Sequence, residues 1–355
     1  MKKLALSILS LVLVAFAASA QNLAKNEAKA INAFLTQVSA KGGTNAAALD
    51  APNAQAANCP GLKFDNGHLT EIDWHGKDLA GTLDLSNFPN LQKVNISDNK
   101  ITTLILVNDP VLSEVTASRN RISQLTIQGC DQLTQLKLNR NKLAEINLTG
   151  CPFLKKLNIS SNMISDLDVS NAPNLEYLNC MSNRLEQLVV SNCTNLKTLY
   201  AGYNDLTGVE LSGLVNLENL NLTSNKISKL YLQDLKSLVT LFCSDNHMTQ
   251  LAVNNCTALN DIYAPYNDLT AFQLTDCANV AFINLAWNDL TTLNLSNQYF
   301  LQRLNVANNQ LITLDVSFDQ MLTYLNVTND NLLTDLRTIG CNNLRQIVGE
   351  WNDFD

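Results

Sequence analysis

An asparagine returns every 21 residues, at 99, 120, 141, 162, 183, 204, 225, 246, 267, 288 and 309, and Asp330 takes the next place. Eight residues before each stands a leucine, from Leu91 to Leu322, with Val280 the one replacement. Chance does not hold a 21-residue period for so long. Such a chain is a stack of like coils, each too small to bury its own apolar side and each covered by its neighbours. Apolar residues make up 46% of the sequence, enough for a continuous core.

Each coil reads L-x-x-L-x-[LIVAC]-x-x-N-x-L-x-x-L-x-[LVI], the signature of a leucine-rich repeat. Numbered from its first leucine, positions 3 to 7 alternate apolar with polar residues, as a strand with one buried face does. Successive strands stacked in parallel at about 4.8 Å form a sheet on the order of 55 Å long over twelve units. The asparagine sits where the chain leaves the strand, and its amide both donates to and accepts from turn backbone, giving one buried ladder. A second alternation, as in Leu104-Ile105-Leu106 and Leu167-Asp168-Val169, predicts a short strand on the opposite side, since 21 residues leave no room for a helix there. The fold expected is a leucine-rich repeat solenoid, with a parallel β-sheet on the concave face and short strands or irregular segments on the convex side.

The ends depart from the period. Lys2 and Lys3, an apolar run from Leu4 to Ala18, and Ala18-Ser19-Ala20 predict a cleaved signal peptide over residues 1–20. Its run of 15 residues is too short to span a bilayer, and no other run reaches membrane length. Residues 21–68 are expected to form an N-terminal helical cap and loop, with an amphipathic helix within 23–40 carried by Leu23, Ile31, Leu35 and Val38. Residues 69–343 hold the repeats, beginning with one irregular coil, and 344–355 a closing partial coil built on Leu344, Ile347 and Trp351.

Charge and cysteine usage narrow the chemistry. The formal charge is −8, and −10 once Lys2 and Lys3 are removed, which argues against a nucleic-acid partner. Nine cysteines in an exported chain invite disulfides, but seven keep phase with the repeat. Cys130, Cys151, Cys193, Cys256 and Cys277 share position 19, and Cys180 and Cys243 share position 6, where other coils carry apolar residues. They are expected to be mostly free, buried thiols, with a bridge between adjacent coils such as Cys130 and Cys151 as the alternative. No C-x-x-C pair occurs, so no zinc site or other cofactor is expected. His68, His75 and His247 are the only histidines, and none is expected to serve catalysis, the sequence neighbours Ser244, Asp245 and His247 included.

The outward positions 3, 5, 7, 8 and 10 carry the candidate site. From Leu175 onward they hold Tyr177, Tyr200, Tyr203, Phe242, Tyr263, Tyr266, Phe282, Trp287 and Tyr324, whereas residues 91–174 place no aromatic at these phases. Aromatics on a stiff sheet are the usual anchors of an interface. Packing between neighbouring coils, Phe242 on Tyr263 and Tyr266 on Trp287, is the plainer alternative. The earlier coils place Arg119, Lys137, Arg140 and Lys156 at the same phases, either as a solvated face or as contacts for an acidic partner. Asp205, Asp268 and Asp289, all at position 10, are a weaker candidate for a cation-binding rim.

The 21-residue, Cys-containing unit resembles bacterial secreted and surface leucine-rich repeat proteins, and is similar to the internalin family with its internalin J-like repeats. Residues 30–37 (AINAFLTQ) and 78–86 (DLAGTLDLS) resemble exported leucine-rich repeat proteins of Bacteroidetes. The resemblance implies a non-enzymatic, adhesion-type protein that binds a protein partner on a host or bacterial surface, with glycan binding as the alternative. No LPxTG-type anchor occurs, so the chain is expected to be secreted, surface-attached or periplasmic, and a monomer.

Overall fold

The computed structural model describes residues 24–51, 55–317, 319–330, 332–350 and 352. The export leader expected at 1–20 and the closing Trp351 lie outside them. The chain divides into two compact units, residues 1–163 and 164–355, and each is a parallel solenoid of leucine-rich repeats. Among the described residues no helix is long and apolar enough to cross a membrane.

The first unit opens with helix α1 (Lys25–Leu35) and a single helical turn α2 (Asn45–Ala48). The helix expected within 23–40 ends at Leu35, because the residues beyond it serve the open edge of the first coil. Strands β1 (Leu62–Asp65) and β2 (His68–Asp73) form an antiparallel hairpin across Asn66 and Gly67, both in the left-handed region. That is the backbone a two-residue hairpin turn needs, and Asn-Gly supplies it cheaply. From β2 the sheet continues in parallel through β4 (Lys93–Asn95), β6 (Glu114–Thr116), β8 (Gln135–Lys137) and β9 (Lys156–Asn158). On the opposite side β3 (Ala80–Asp84), β5 (Lys100–Val107) and β7 (Gln124–Gln128) form a second sheet.

The free edge of β3 is closed by two side-chain amides. Asn45 accepts from the Ala80 N–H at 3.1 Å and donates to the Ala80 carbonyl at 2.9 Å, and Gln37 does both with Thr82 at 2.7 Å. They imitate a strand over Ala80 and Thr82 and so blunt an edge that would otherwise invite pairing. Glu27, 2% exposed, ties α1 to the first coil by accepting the Leu69 N–H and bonding the His68 imidazole, both at 2.8 Å. Phe34 stacks on Trp74 at 5.5 Å beneath the helix.

In the second unit the main sheet runs through β11 (Tyr177–Asn179), β13 (Thr198–Tyr200), β14 (Asn219–Asn221), β16 (Thr240–Phe242), β18 (Asp261–Tyr263), β20 (Phe282–Asn284), β21 (Arg303–Asn305), β23 (Tyr324–Asn326) and β25 (Gln346–Val348), all parallel. In most of these strands the central residue is buried and its two neighbours half-exposed, which is the alternation read from the sequence. Leu199, Leu220, Leu241 and Ile262 in that central row are each 0% exposed. Burying one such side chain contributes roughly 2 kcal/mol.

The second side is less regular than the repeat predicts. Strands form in three separate groups: β10 (Asp166–Asp168) with β12 (Gln187–Val189), β15 (Lys229–Gln233) with β17 (Gln250–Asn254) and β19 (Ala271–Thr275), and β22 (Thr313–Asp315) with β24 (Asp335–Arg337). Between the first two groups the coil carries Gly208 where the strand would begin, and glycine weakens a strand. Nothing in the side chains explains the break at 293–295 or, in the first unit, at 146–148.

Each ladder asparagine binds as its position requires. Asn225 donates to the carbonyls of Ala201 one coil back (3.1 Å) and Leu222 (2.9 Å), and accepts the Leu206 N–H (3.1 Å). The same set recurs at Asn204, Asn246, Asn267 and Asn288. All nine cysteines are free thiols and buried. Burial pushes Cys193 up to about 11 and Cys180 to about 12, so they stay protonated and unreactive. The expectation of an apolar position 19 is corrected at three coils, where the sequence itself sets Asp109, Gln298 and Asp319, each at most 3% exposed. Burial raises the Asp109 and Asp319 carboxyls to about 7.

Candidate functional site

The parallel register of the second unit sets its outward residues in straight rows, one member per coil. At position 5, Phe242 lies opposite Tyr263, and at position 3 Asp261 lies opposite Phe282. Because i and i+2 share a face, these rows stand side by side. Phe242 and Tyr263 stack at 4.7 Å with planes 20° apart, and Phe282 leans against Tyr263 at 4.7 Å and 31°. All three rings are half-buried. Tyr177 and Tyr200 meet edge to face at 6.0 Å. Arg303 continues the position-3 row with its guanidinium 5.8 Å from the Phe282 ring and 5.2 Å from that of Tyr324.

Position 8 is the turn that leaves the strand, and every coil holds it in the left-handed region. Serine, asparagine or aspartate fill most of these turns, as at Ser224, Asp245 and Asn308. Arg119 and Arg140 fill two more, and Tyr203, Tyr266 and Trp287 the remaining three at φ of 57–58°, with 55%, 57% and 51% of their surface exposed. A bulky side chain in this region costs about 1–2 kcal/mol. Large rings are therefore kept at positions that are unfavourable for them twice over, in backbone and in solvent exposure, and such strain concentrates at functional sites. Tyr266 and Trp287 recover part of the cost by stacking at 5.7 Å with planes 15° apart.

This gives an expected result at Tyr203, which no other ring accompanies among the described residues. Tyr203→Asn keeps the backbone N–H bond to the Thr223 carbonyl, 2.7 Å. It places there a residue that tolerates the left-handed turn, so stability rises by about 1 kcal/mol. Thermal unfolding followed by circular dichroism checks it, and a lower midpoint contradicts the strain account.

The stacked rows decide what the rings can offer. In the stacked groups, Phe242 with Tyr263 and Phe282 and Tyr266 with Trp287, the rings turn faces to one another, whereas Tyr177 and Tyr200 meet edge to face. The plainer reading of the aromatics is met, since the rings pack across coils, and the packed row remains half-exposed.

The remaining candidates are dispersed. Ser244 donates to the Tyr263 carbonyl at 3.4 Å, Asp245 accepts from Ser224 at 2.7 Å, and His247 faces Asp268 at 3.5 Å, so these three neighbours in sequence each face a different partner. The position-10 carboxylates are likewise engaged one by one, Asp205 by Lys226 at 2.7 Å and Asp289 by Gln310 at 2.8 Å. In the first unit Lys137 and Lys156 stand exposed on β8 and β9. Arg119 and Arg140 occupy left-handed turns, and Arg119 lies 3.4 Å from Asp98.

Residues 194–237 match the family described as Leucine Rich repeats (2 copies). A search of curated protein sequences gives no match. Among solved structures the chain is similar to YopM, a leucine-rich effector protein from Yersinia pestis, with 23% identity over 81% of this chain and 78% of that one and a TM-score of 0.63. It is similar to the internalin InlF of Listeria monocytogenes, with 19% identity over 88% and 93% of the chains and a TM-score of 0.59. The functional domain of InlJ from the same organism, which includes a cysteine ladder, is 23% identical over 75% and 68%, with a TM-score of 0.51. At these identities the likeness shows the fold, an internalin-like leucine-rich repeat solenoid.

Proposed function

We propose that this leucine-rich repeat solenoid is an exported, non-enzymatic binding protein that works as a monomer and recognises a protein on a host or bacterial surface. Its contact area is the outward face of the second unit, with Tyr177, Tyr200, Tyr203, Phe242, Tyr263, Tyr266, Phe282 and Trp287 as anchors. The observation that carries this reading is the set of half-exposed rings kept at strained turns, Tyr203, Tyr266 and Trp287, beside the half-buried row from Phe242 to Phe282. Rigid, pre-placed rings lower the ordering cost of binding.

A protein partner fits the ring geometry better than a sugar. Stacking on a sugar uses an open ring face, and Tyr263 has none to spare between Phe242 and Phe282, while Tyr266 and Trp287 each give one face to the other. Edges and hydroxyls, which side chains and peptide groups of a partner can meet, are what the stacks offer most. A glycan reading rests on Tyr203 and on the outer faces of the stacks. Arg119, Lys137, Arg140 and Lys156 of the first unit are a separate proposed contact for an acidic partner, affecting the rate of encounter more than the strength of the complex.

The test sets a glycan array against capture from host and bacterial surface extracts on immobilised protein. The proposal expects a protein to be captured, and expects Tyr263→Ala with Trp287→Ala to lose it. Glycan binding with no protein captured overturns it.

A further inference from the structure

The charge of the chain is divided unevenly. Residues 24–163 carry 12 Asp and Glu against 14 Lys and Arg, whereas residues 164–355 carry 20 against 8, a formal charge of −12. The aromatic face thus belongs to the strongly acidic unit. A field of that sign raises the encounter rate with a basic surface and repels an acidic one.

One carboxylate stands inside the aromatic rows. Asp261 points outward at position 3 of β18, opposite Thr240 on one side and Phe282 on the other, with Tyr263 two residues on along the same face. Among the described residues no hydrogen bond or ion pair engages its carboxylate. Its surroundings withhold water without replacing it, and this partial burial raises its carboxyl above the usual range. A half-buried anion without a partner is costly to keep. Two coils further along the same row the chain already sets a cation on aromatic rings, Arg303 against Phe282 and Tyr324.

We propose that Asp261, framed by Phe282 and Tyr263, is the anchor for an arginine side chain presented by a basic protein partner. Arginine fits the place because its planar guanidinium forks onto a carboxylate while its apolar stem covers ring edges. An ammonium group carries the charge but neither the fork nor the plane. The inference rests on the proposed protein-binding role of this face and adds the chemistry of the partner.

The probe is a fluorescent hexa-arginine peptide, with hexa-citrulline as its neutral isostere, read by anisotropy at physiological salt. Asp261→Asn is expected to weaken hexa-arginine binding about tenfold. Asp276→Asn, an equal change of charge outside the rows, is expected to change it less than twofold. Hexa-citrulline is expected not to bind. Equal losses in the two variants would assign the binding to the overall field and overturn the anchor, as would full affinity in Asp261→Asn or equal affinity for citrulline. These outcomes are separable from failure of the face itself. If Tyr263→Ala with Trp287→Ala abolishes protein capture while Asp261→Asn keeps full peptide affinity, the face stands and the anchor falls. If the aromatic variant captures as the wild type does, the face falls.

Discussion

Asn204→Ala lowers the stability of the second unit by about 1–3 kcal/mol, the cost of one buried group left without a partner. The N–H of Leu185 donates to the Asn204 side-chain oxygen at 3.1 Å, and Asn204 is 8% exposed, so water does not readily take its place. The carbonyls suffer less. That of Ala201 keeps the amide of Asn225 at 3.1 Å, and that of Cys180 keeps Asn183 at 3.0 Å. Chemical denaturation checks the figure. A change below about 0.5 kcal/mol, ordinary for a surface substitution, contradicts the ladder.

The reverse change is expected at the twelfth rung, where Asp330→Asn stabilises. Asp330 is 0% exposed; one carboxyl oxygen accepts the Asn309 N–H at 3.0 Å and the other has no partner. Burial raises the group from 3.8 to about 7. A folded-state value above the unfolded one means that the native chain holds the proton more tightly. The stability tied to Asp330 is therefore fully present below pH 4 and is lost as pH rises through about 7. Asparagine accepts the same N–H, carries no charge and supplies donors such as those Asn309 sends to Leu285 and Val306. At pH 8 the gain is on the order of a few kcal/mol, and it shrinks between pH 7 and pH 4. Asp109 and Asp319 titrate in the same window, so the wild type itself gains stability on mild acidification. Thermal melts at pH 8 and pH 4 separate the two contributions. An equal gain at both values contradicts burial as the cause.

Periodicity made the solenoid, the ladder and the inward thiols legible, because each follows from phase alone. What phase does not carry was missed. The β1–β2 hairpin had a local signal in Asn66-Gly67, outside the repeat. The closure of β3 by Gln37 and Asn45 joins residues 45 and 35 positions apart, and no spacing rule announces it. Asn352 continues the ladder, accepting the Asp330 N–H at 2.9 Å, yet a 22-residue step hides it from a strict period. In the site, phase identified which rings face outward, but whether they show edges or faces is set by side-chain torsions that the sequence does not record. The weight of acidic charge around them is readable in the sequence, with 20 Asp and Glu against 8 Lys and Arg over residues 164–355.

The most direct test compares affinities for the captured partner in three proteins of native circular dichroism: wild type, Tyr263→Ala with Trp287→Ala, and a triple substitution of Lys137, Arg140 and Lys156. A desolvated aromatic anchor costs at least about 2 kcal/mol when truncated, roughly thirtyfold in affinity for one ring. The aromatic double variant is expected to lose most binding, and the basic variant, whose residues are the separate contact proposed for an acidic partner, to keep it. Normal binding by the aromatic variant together with loss in the basic one would place the site in the first unit and contradict the account.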